Sequence, residues 1–181
     1  ETFQDVIDDL TRVARAGNQK ASNLAKDQAA ELKDVLESTG DQDIIEAKLD
    51  QLVAADQIAF AIKAARLNQK DYIRRDDEQA LQVAYQAADR AAAIAARIRP
   101  TLHEAKDRAR MDAIIGGAHT YKDRLKEYAQ AREKSQQRVD TMIEAARSLE
   151  HEADTLAKAQ TSERDAVRSY LESTILTVNL L

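Results

Sequence analysis

Apolar positions follow a helical rhythm along almost the whole chain. Between Phe3 and Leu36, apolar and small residues recur at three-four spacing, which is typical of one amphipathic helix. A second stripe of this kind runs from Ile45 to Tyr72, and an alanine-rich one runs from Glu78 to Ile98. The last stripe extends from Val139 to Val178. The spacing therefore predicts an all-α fold.

Helix-ending residues mark two expected reversals of the chain. Gly40 suits the left-handed position that closes the first helix, and Asp41 or Asp43 suits the N-cap of the second. At residues 74–78, two arginines are followed by three acids, so cations complement the end of one helix dipole and acids the start of the next. We expect a tight helical hairpin there.

The third pass of the chain is expected to be broken. Pro100 disfavours helix at the residue before it, and a fresh helix is expected to start near Thr101 or His103. Gly116 and Gly117 predict a bend or a close helix crossing. A long last helix then returns to the end where the chain began. We predict a single domain over residues 1–181, an elongated antiparallel four-helix bundle, with two stacked four-helix modules sharing long helices as a second possibility.

Composition narrows the function classes. Charged residues make up 33% and aromatic residues 4%, which predicts a narrow, alanine-rich core. The net charge of −5, with both signs interspersed, argues against a nucleic-acid surface but leaves room for a local cationic pocket that takes a small anion. The chain contains no cysteine, so disulfides and thiol catalysis are excluded.

No catalytic pattern stands out in the sequence. His103, His119 and His151 lack the spacing of metal ligands, and no glycine-rich phosphate loop or nucleophile elbow occurs. We therefore expect no enzyme activity, no metal and no cofactor. The chain also lacks a leader sequence and an apolar run of about 18 residues, so it is interpreted as a soluble fragment of a longer protein. Its apolar finish at residues 175–181 is either the edge of a membrane span or a last turn packed on the core.

Two stretches resemble the helical bimodular sensor domains of bacterial methyl-accepting chemotaxis receptors. The first, residues 61–77, reads AIKAARLNQKDYIRRDD, an AAR-like start leading to an aromatic residue and an acidic turn. The second comprises Tyr121, Tyr128 and the helix from Val139 to Ala159, with EAARSLE at residues 144–150. A simpler four-helix sensor domain is the nearest alternative family.

The resemblance implies a periplasmic domain of an inner-membrane receptor, joined to the membrane by spans outside this fragment. It implies two stacked four-helix modules, a homodimer, recognition of small organic acids and signalling to a cytoplasmic kinase complex through the last helix. The chain before Ala64 is shorter than a full distal module requires, so that module is either reduced or lacks residues near Gly40. We also expect the homodimer to form through the first helix, where small residues permit close approach: Ala14, Ala16, Gly17 and Ala21.

The candidate ligand site is predicted from hydrogen-bond donors on different helices that lie at a similar height along the bundle. Arg12 and Arg15 are spaced i, i+3, and forked guanidiniums suit a dicarboxylate such as malate, succinate or a citrate-like acid. Counting the rise along the helices places donors of other helices at a similar level. The predicted ligand-binding residues are Arg12, Arg15, Arg66, Tyr85, Arg168 and Thr174. The alternative is a structural or scaffolding bundle, spectrin-like or coiled-coil, whose arginines are merely solvated.

Overall fold

The computed structural model describes residues 2–38 and 41–178, with residues 173–178 described by backbone alone. Four α-helices follow one another: α1 (Phe3–Ser38), α2 (Gln42–Arg75), α3 (Glu78–Ile98) and α4 (Ala105–Val178). A 3-10 turn at Arg99–Thr101 separates α3 from α4, and the described residues contain no strand. The predicted all-α bundle is confirmed. The chain divides into two compact units, Glu1–Gln130 and Ala131–Leu181, and α4 contributes to both.

Aspartates set the helix boundaries that the sequence predicts. Asp41 caps α2 by accepting from the backbone nitrogens of Asp43 at 3.1 Å and Ile44 at 3.4 Å. Asp76 ends α2 in the left-handed conformation (φ 59°), and Asp77 then caps α3. The predicted hairpin between α2 and α3 is confirmed, whereas Gly40 lies outside the described residues.

The direction of the chain after Pro100 differs from the prediction. Lys122 of α4 contacts Asp89 of α3 at 2.6 Å, and Arg99 Nη2 donates to Asp112 Oδ2 at 2.9 Å. Arg99, just after the end of α3, contacts the earlier of the two α4 residues, whereas Asp89, further back in α3, contacts the later one. The start of α4 is therefore antiparallel to α3. The predicted broken third pass is therefore wrong, because these stretches are the third and fourth helices of the first unit.

The expected separate last helix is also absent, since α4 passes through Gly116, Gly117 and Val139 without interruption. A Cβ added at Gly117 would lie 3.8 Å from Val13 Cγ1, an ordinary contact, and one added at Gly116 would meet nothing within 4 Å. The expected close helix crossing at this glycine pair is therefore not found.

The core of the first unit consists of two clusters along the bundle. One contains Leu10, Tyr72 and Leu125, and the other contains Leu24 and Ile58. Buried alanines of α1, α2 and α3 fill the space between these larger side chains, as the composition predicts. This close packing positions polar side chains in the grooves between neighbouring helices.

Three of the four small residues expected at a dimer surface instead face the interior of the bundle. Ala14 and Ala21 are buried, and a Cβ at Gly17 would lie 3.2 Å from Ile62 Cδ1. Only Ala16 is exposed. These residues let α1 approach α2, so they do not support a dimer through α1.

The second unit is the later part of α4, and almost all of its described side chains are exposed. Every described side chain from residue 133 to residue 172 is exposed. Large apolar side chains of the predicted stripe are exposed on it, including Val139, Leu149, Leu156 and Leu171. Among the described residues, no helix has an apolar stretch long enough to cross a membrane.

Candidate ligand-binding groove

A groove opens between the first turns of α1 and the last turns of α2. Its volume is about 540 Å³. The side chains that line it are Ile7, Thr11, Arg66, Leu67, Gln69, Lys70, Asp71, Ile73 and Arg74. Apolar walls with a few polar groups are typical of small-molecule sites.

Cations dominate the polar lining of this groove. Arg66, Lys70 and Arg74 follow one another at a spacing of four residues, so they share one side of α2. Asp71 is the one acid among the lining residues, and it accepts from Arg74 Nη2 at 3.2 Å. Three positive charges and one negative charge leave a net charge of +2 in the lining. The groove therefore favours an anion.

Neutral donors complement these charges. The Tyr121 hydroxyl lies 3.0 Å from Gln69 Oε1 and 3.0 Å from the carbonyl oxygen of Ala65. Because Gln69 Oε1 faces this hydroxyl, its amide nitrogen is the atom left to donate towards the groove. Thr11 adds a hydroxyl from the opposite wall, on α1.

Burial keeps the tyrosines near this groove neutral. Desolvation raises the pKa of Tyr121 well above its ordinary value, and the nearby Arg66 charge acts in the opposite direction. Burial, followed by the negative charge of Glu78, raises the pKa of Tyr85. Both phenols are therefore protonated hydrogen-bonding groups around neutral pH.

Of the six predicted ligand-binding residues, Arg66 lines the groove. Tyr85 is partly buried on α3 and packs against the core cluster that contains Tyr121. Arg12 and Arg15 are exposed, and Arg12 forms an ion pair with Asp9 at 3.0 Å.

The remaining two predicted residues belong to the second unit. Arg168 has a 79% exposed side chain, and its Nε donates to Glu172 Oε1 at 3.0 Å. The side chain of Thr174 lies outside the described residues. The ligand role of all six residues stays a prediction.

Lys70 and Arg74 line the groove but are not among the ligand-binding residues that the sequence predicts. Their signal was available, because cations at positions i, i+4 and i+8 align on one helix face. The contributions of Thr11 and Gln69 depend on which helix lies opposite. That neighbour follows from packing across the bundle, which spacing along one helix does not specify.

A second polar cluster joins α1, α2 and α4 near the other end of the first unit. Gln28 Nε2 donates to the buried carboxylate of Asp107 at 3.3 Å, while Lys48 donates to Gln28 Oε1 at 3.3 Å. Arg110 Nη1 contacts both Asp27 and Asp107 at 2.7 Å. Desolvation raises the pKa of Asp107, and the hydrogen bond from Arg110 lowers the pKa of Asp27.

This cluster differs in charge from the groove. Carboxylate oxygens of Glu31, Glu104 and Asp107 lie within 4.8 Å of one another. A protein cation contacts each of these three carboxylates: Lys48 on Glu31, Lys106 on Glu104 and Arg110 on Asp107. The cluster is therefore an ion-pair network that ties helices together and offers no excess positive charge to an anion.

Comparison with protein families accounts for most of the chain. The model of the helical bimodular sensor domain matches residues 8–167, which include the groove-lining residues of α2 and most of α4. Comparisons with curated proteins and with solved structures give no significant match. The family match agrees with the helical bundle and with the stretches at residues 61–77 and 139–159. The chain therefore belongs to the helical bimodular family of extracytoplasmic sensor domains.

Proposed function

We propose that this chain is the periplasmic ligand-binding domain of a transmembrane chemoreceptor and that it senses small di- or tricarboxylates. Malate, succinate and citrate-like acids represent the ligand class. The family membership supports a sensor role. The observation that carries the choice of ligand is the alignment of Arg66, Lys70 and Arg74 along one groove with a net positive lining.

In this proposal the ligand replaces an internal ion pair. One carboxylate binds Arg66 and Lys70, and a second takes the place of Asp71 on Arg74. Charge-assisted hydrogen bonds of this kind contribute about 1.5 to 3 kcal/mol each. The predicted set of Arg12, Arg15, Arg168, Thr174 and Tyr85 remains the rival location for the same ligand class.

Signal transmission requires a ligand that distinguishes two arrangements of the helices. An acid that contacts Thr11 of α1 and the cations of α2 spans two helices of the bundle. Its binding energy then favours the arrangement in which both walls reach it. We propose that α4, which packs against these helices in the first unit, carries the resulting shift onwards.

Titration calorimetry with malate, succinate and citrate tests this proposal. Arg66→Ala or Lys70→Ala should weaken binding about tenfold or more, since one decade of affinity corresponds to about 1.4 kcal/mol. Arg12→Ala, Arg15→Ala and Arg168→Ala are matched controls with the same charge change. Circular dichroism of each variant should show unchanged helicity, because alanine carries no helix-propensity penalty.

The outcomes separate the two locations and the scaffold alternative. Loss of binding in the Arg66 and Lys70 variants alone supports the groove. Loss in the Arg12, Arg15 and Arg168 variants alone moves the site to the rival set. If the parent chain binds none of the acids, carboxylate sensing is wrong and a structural bundle becomes the better interpretation.

A further inference from the structure

The groove between α1 and α2 carries apolar side chains between its cations. Among the α2 residues that line it, Arg66 is the first and Arg74 is the last. Leu67 and Ile73 lie between them in the chain, and Ile7 lines the groove from α1. These three side chains form the apolar wall of the groove. Ile7 and Ile73 also pack against a core cluster, so this wall is held in place.

The cations are spaced further apart than the carboxylates of a four-carbon acid. The midpoint of Arg66 and Lys70 lies six residues before Arg74, which is about 9 Å along the helix. Side chains on a helix all lean towards its N-terminus, so their charged groups keep the spacing of the backbone to a first approximation. Each bond of an extended carbon chain adds about 1.3 Å, so the carboxyl carbons are about 4 Å apart in succinate and about 9 Å apart in suberate, its eight-carbon homologue. Suberate therefore matches the spacing of the cations, and succinate does not.

We infer that the groove prefers a medium-chain α,ω-dicarboxylate, of about seven to nine carbons, over malate and succinate. The inference rests on the proposed carboxylate site and specifies its ligand. One carboxylate lies between Arg66 and Lys70, the methylene chain covers the apolar wall, and the other carboxylate replaces Asp71 on Arg74. The groove volume of about 540 Å³ is within the range of about 300 to 1,000 Å³ that is usual for pockets of drug-sized ligands, so it accommodates the longer acid.

Burial of methylene groups sets the size of this preference. A fully buried methylene contributes about 0.8 kcal/mol, which is about fourfold in affinity. Leu67 is 62% exposed, so a chain that lies on it stays partly in water, and we expect about twofold for each methylene. Suberate has four more methylenes than succinate, which gives about tenfold or more. The gain ends once the acid is longer than the spacing of the cations.

Titration calorimetry with succinate, adipate, suberate and sebacate tests the chain length. Affinity should rise about tenfold or more from succinate to suberate, and it should level off or fall with the ten-carbon sebacate. Octanoate has as many carbons as suberate but one carboxylate. It should bind about tenfold more weakly than suberate, because it offers no second carboxylate to Arg74.

Three variants assign the preference to the groove. Leu67→Ala removes part of the apolar wall and should lower the affinity for suberate more than the affinity for succinate. Leu49→Ala is the matched control, because Leu49 is another exposed leucine of α2 and does not line the groove. It should change neither affinity. Arg74→Ala should remove the difference between suberate and octanoate. Circular dichroism checks that each variant keeps its helicity.

The outcomes separate this inference from the proposed function. If Arg66→Ala weakens succinate binding but affinity does not rise with chain length, the chain-length preference is wrong and the carboxylate site remains supported. If octanoate binds as tightly as suberate, the second carboxylate is not recognised and the preference for a diacid is wrong. If no acid of the series binds, or if Arg66→Ala binds all of them as the parent does, the inference and the proposed groove are both wrong.

Discussion

Tyr121 links the core of the bundle to the groove. Its ring is buried, and its hydroxyl contacts the backbone of Ala65 and the side chain of Gln69, which lines the groove. A buried polar atom that loses its partner costs about 1 to 3 kcal/mol. The hydroxyl therefore holds Gln69 in the orientation that leaves its amide nitrogen for a ligand.

Tyr121→Phe should change how the free energy of unfolding depends on pH. The unfolded phenol ionises near pH 10, whereas burial raises the folded pKa of Tyr121 further. Above about pH 10 the unfolded state loses the proton first, so folding stability falls by about 1.4 kcal/mol per pH unit. The variant lacks the Tyr121 phenol, so its stability should not fall in this way. It should be about 1 to 3 kcal/mol less stable than the parent at neutral pH, and this difference in stability should shrink at alkaline pH.

Urea unfolding between about pH 8 and about pH 11 measures both effects. Tyr85→Phe is the control, because Tyr85 is less buried than Tyr121. Parallel stability curves for the parent and Tyr121→Phe would contradict the assignment of the raised pKa to Tyr121.

Arg66 and Arg12 show how much of the groove lining can be predicted from the sequence. Arg66 was predicted from its depth along the helix, and it does line the groove. Arg12 lies at the edge of the apolar stripe of α1, where a small rotation of the helix decides between a groove and solvent. The structure turns it outwards, next to Asp9. Spacing within one helix predicts the face of a residue, but the neighbouring helix decides what that face meets.

Helix boundaries were predictable where a side chain caps them, and helix directions were not. Asp41 and Asp77 act on backbone groups two or three residues away, so their effect is visible in the local sequence. The reversal after Pro100 depends on contacts such as Lys122 with Asp89, which are 33 residues apart. Pro100 indicates that a helix ends, but its local effect is the same whether the chain continues or turns back.

Gly116 offers a test of α4 as a continuous helix. A Cβ added there meets nothing within 4 Å, so Gly116→Ala should stabilise the protein by about 0.5 to 1 kcal/mol through helix propensity. Gly17→Ala in α1 is the comparison, since its Cβ would lie 3.2 Å from Ile62 Cδ1. That crowding should offset part of the same gain. Thermal and urea unfolding measure both variants, and a destabilised Gly116→Ala would mean that α4 bends at this position.

At the scale of the whole chain, the two units differ in how their helices are stabilised. Both core clusters and the buried ion-pair network lie within residues 1–130. The described side chains of residues 133–172 are exposed, so that stretch has helical structure without a core of its own. Isolated helices in water are marginal, because most helix stability in proteins comes from packing.

A fragment of residues 1–130 should therefore fold alone. We expect it to unfold cooperatively in urea with nearly the midpoint of the main transition of the whole chain, because it retains the residues of both clusters. A fragment of residues 131–181 should show much lower helicity by circular dichroism at low concentration. If the 1–130 fragment fails to fold while the whole chain is cooperative, residues after Gln130 supply stabilising contacts to the first unit. Carboxylate binding by the folded 1–130 fragment would further separate the α2 groove, which it retains, from a site that needs Arg168.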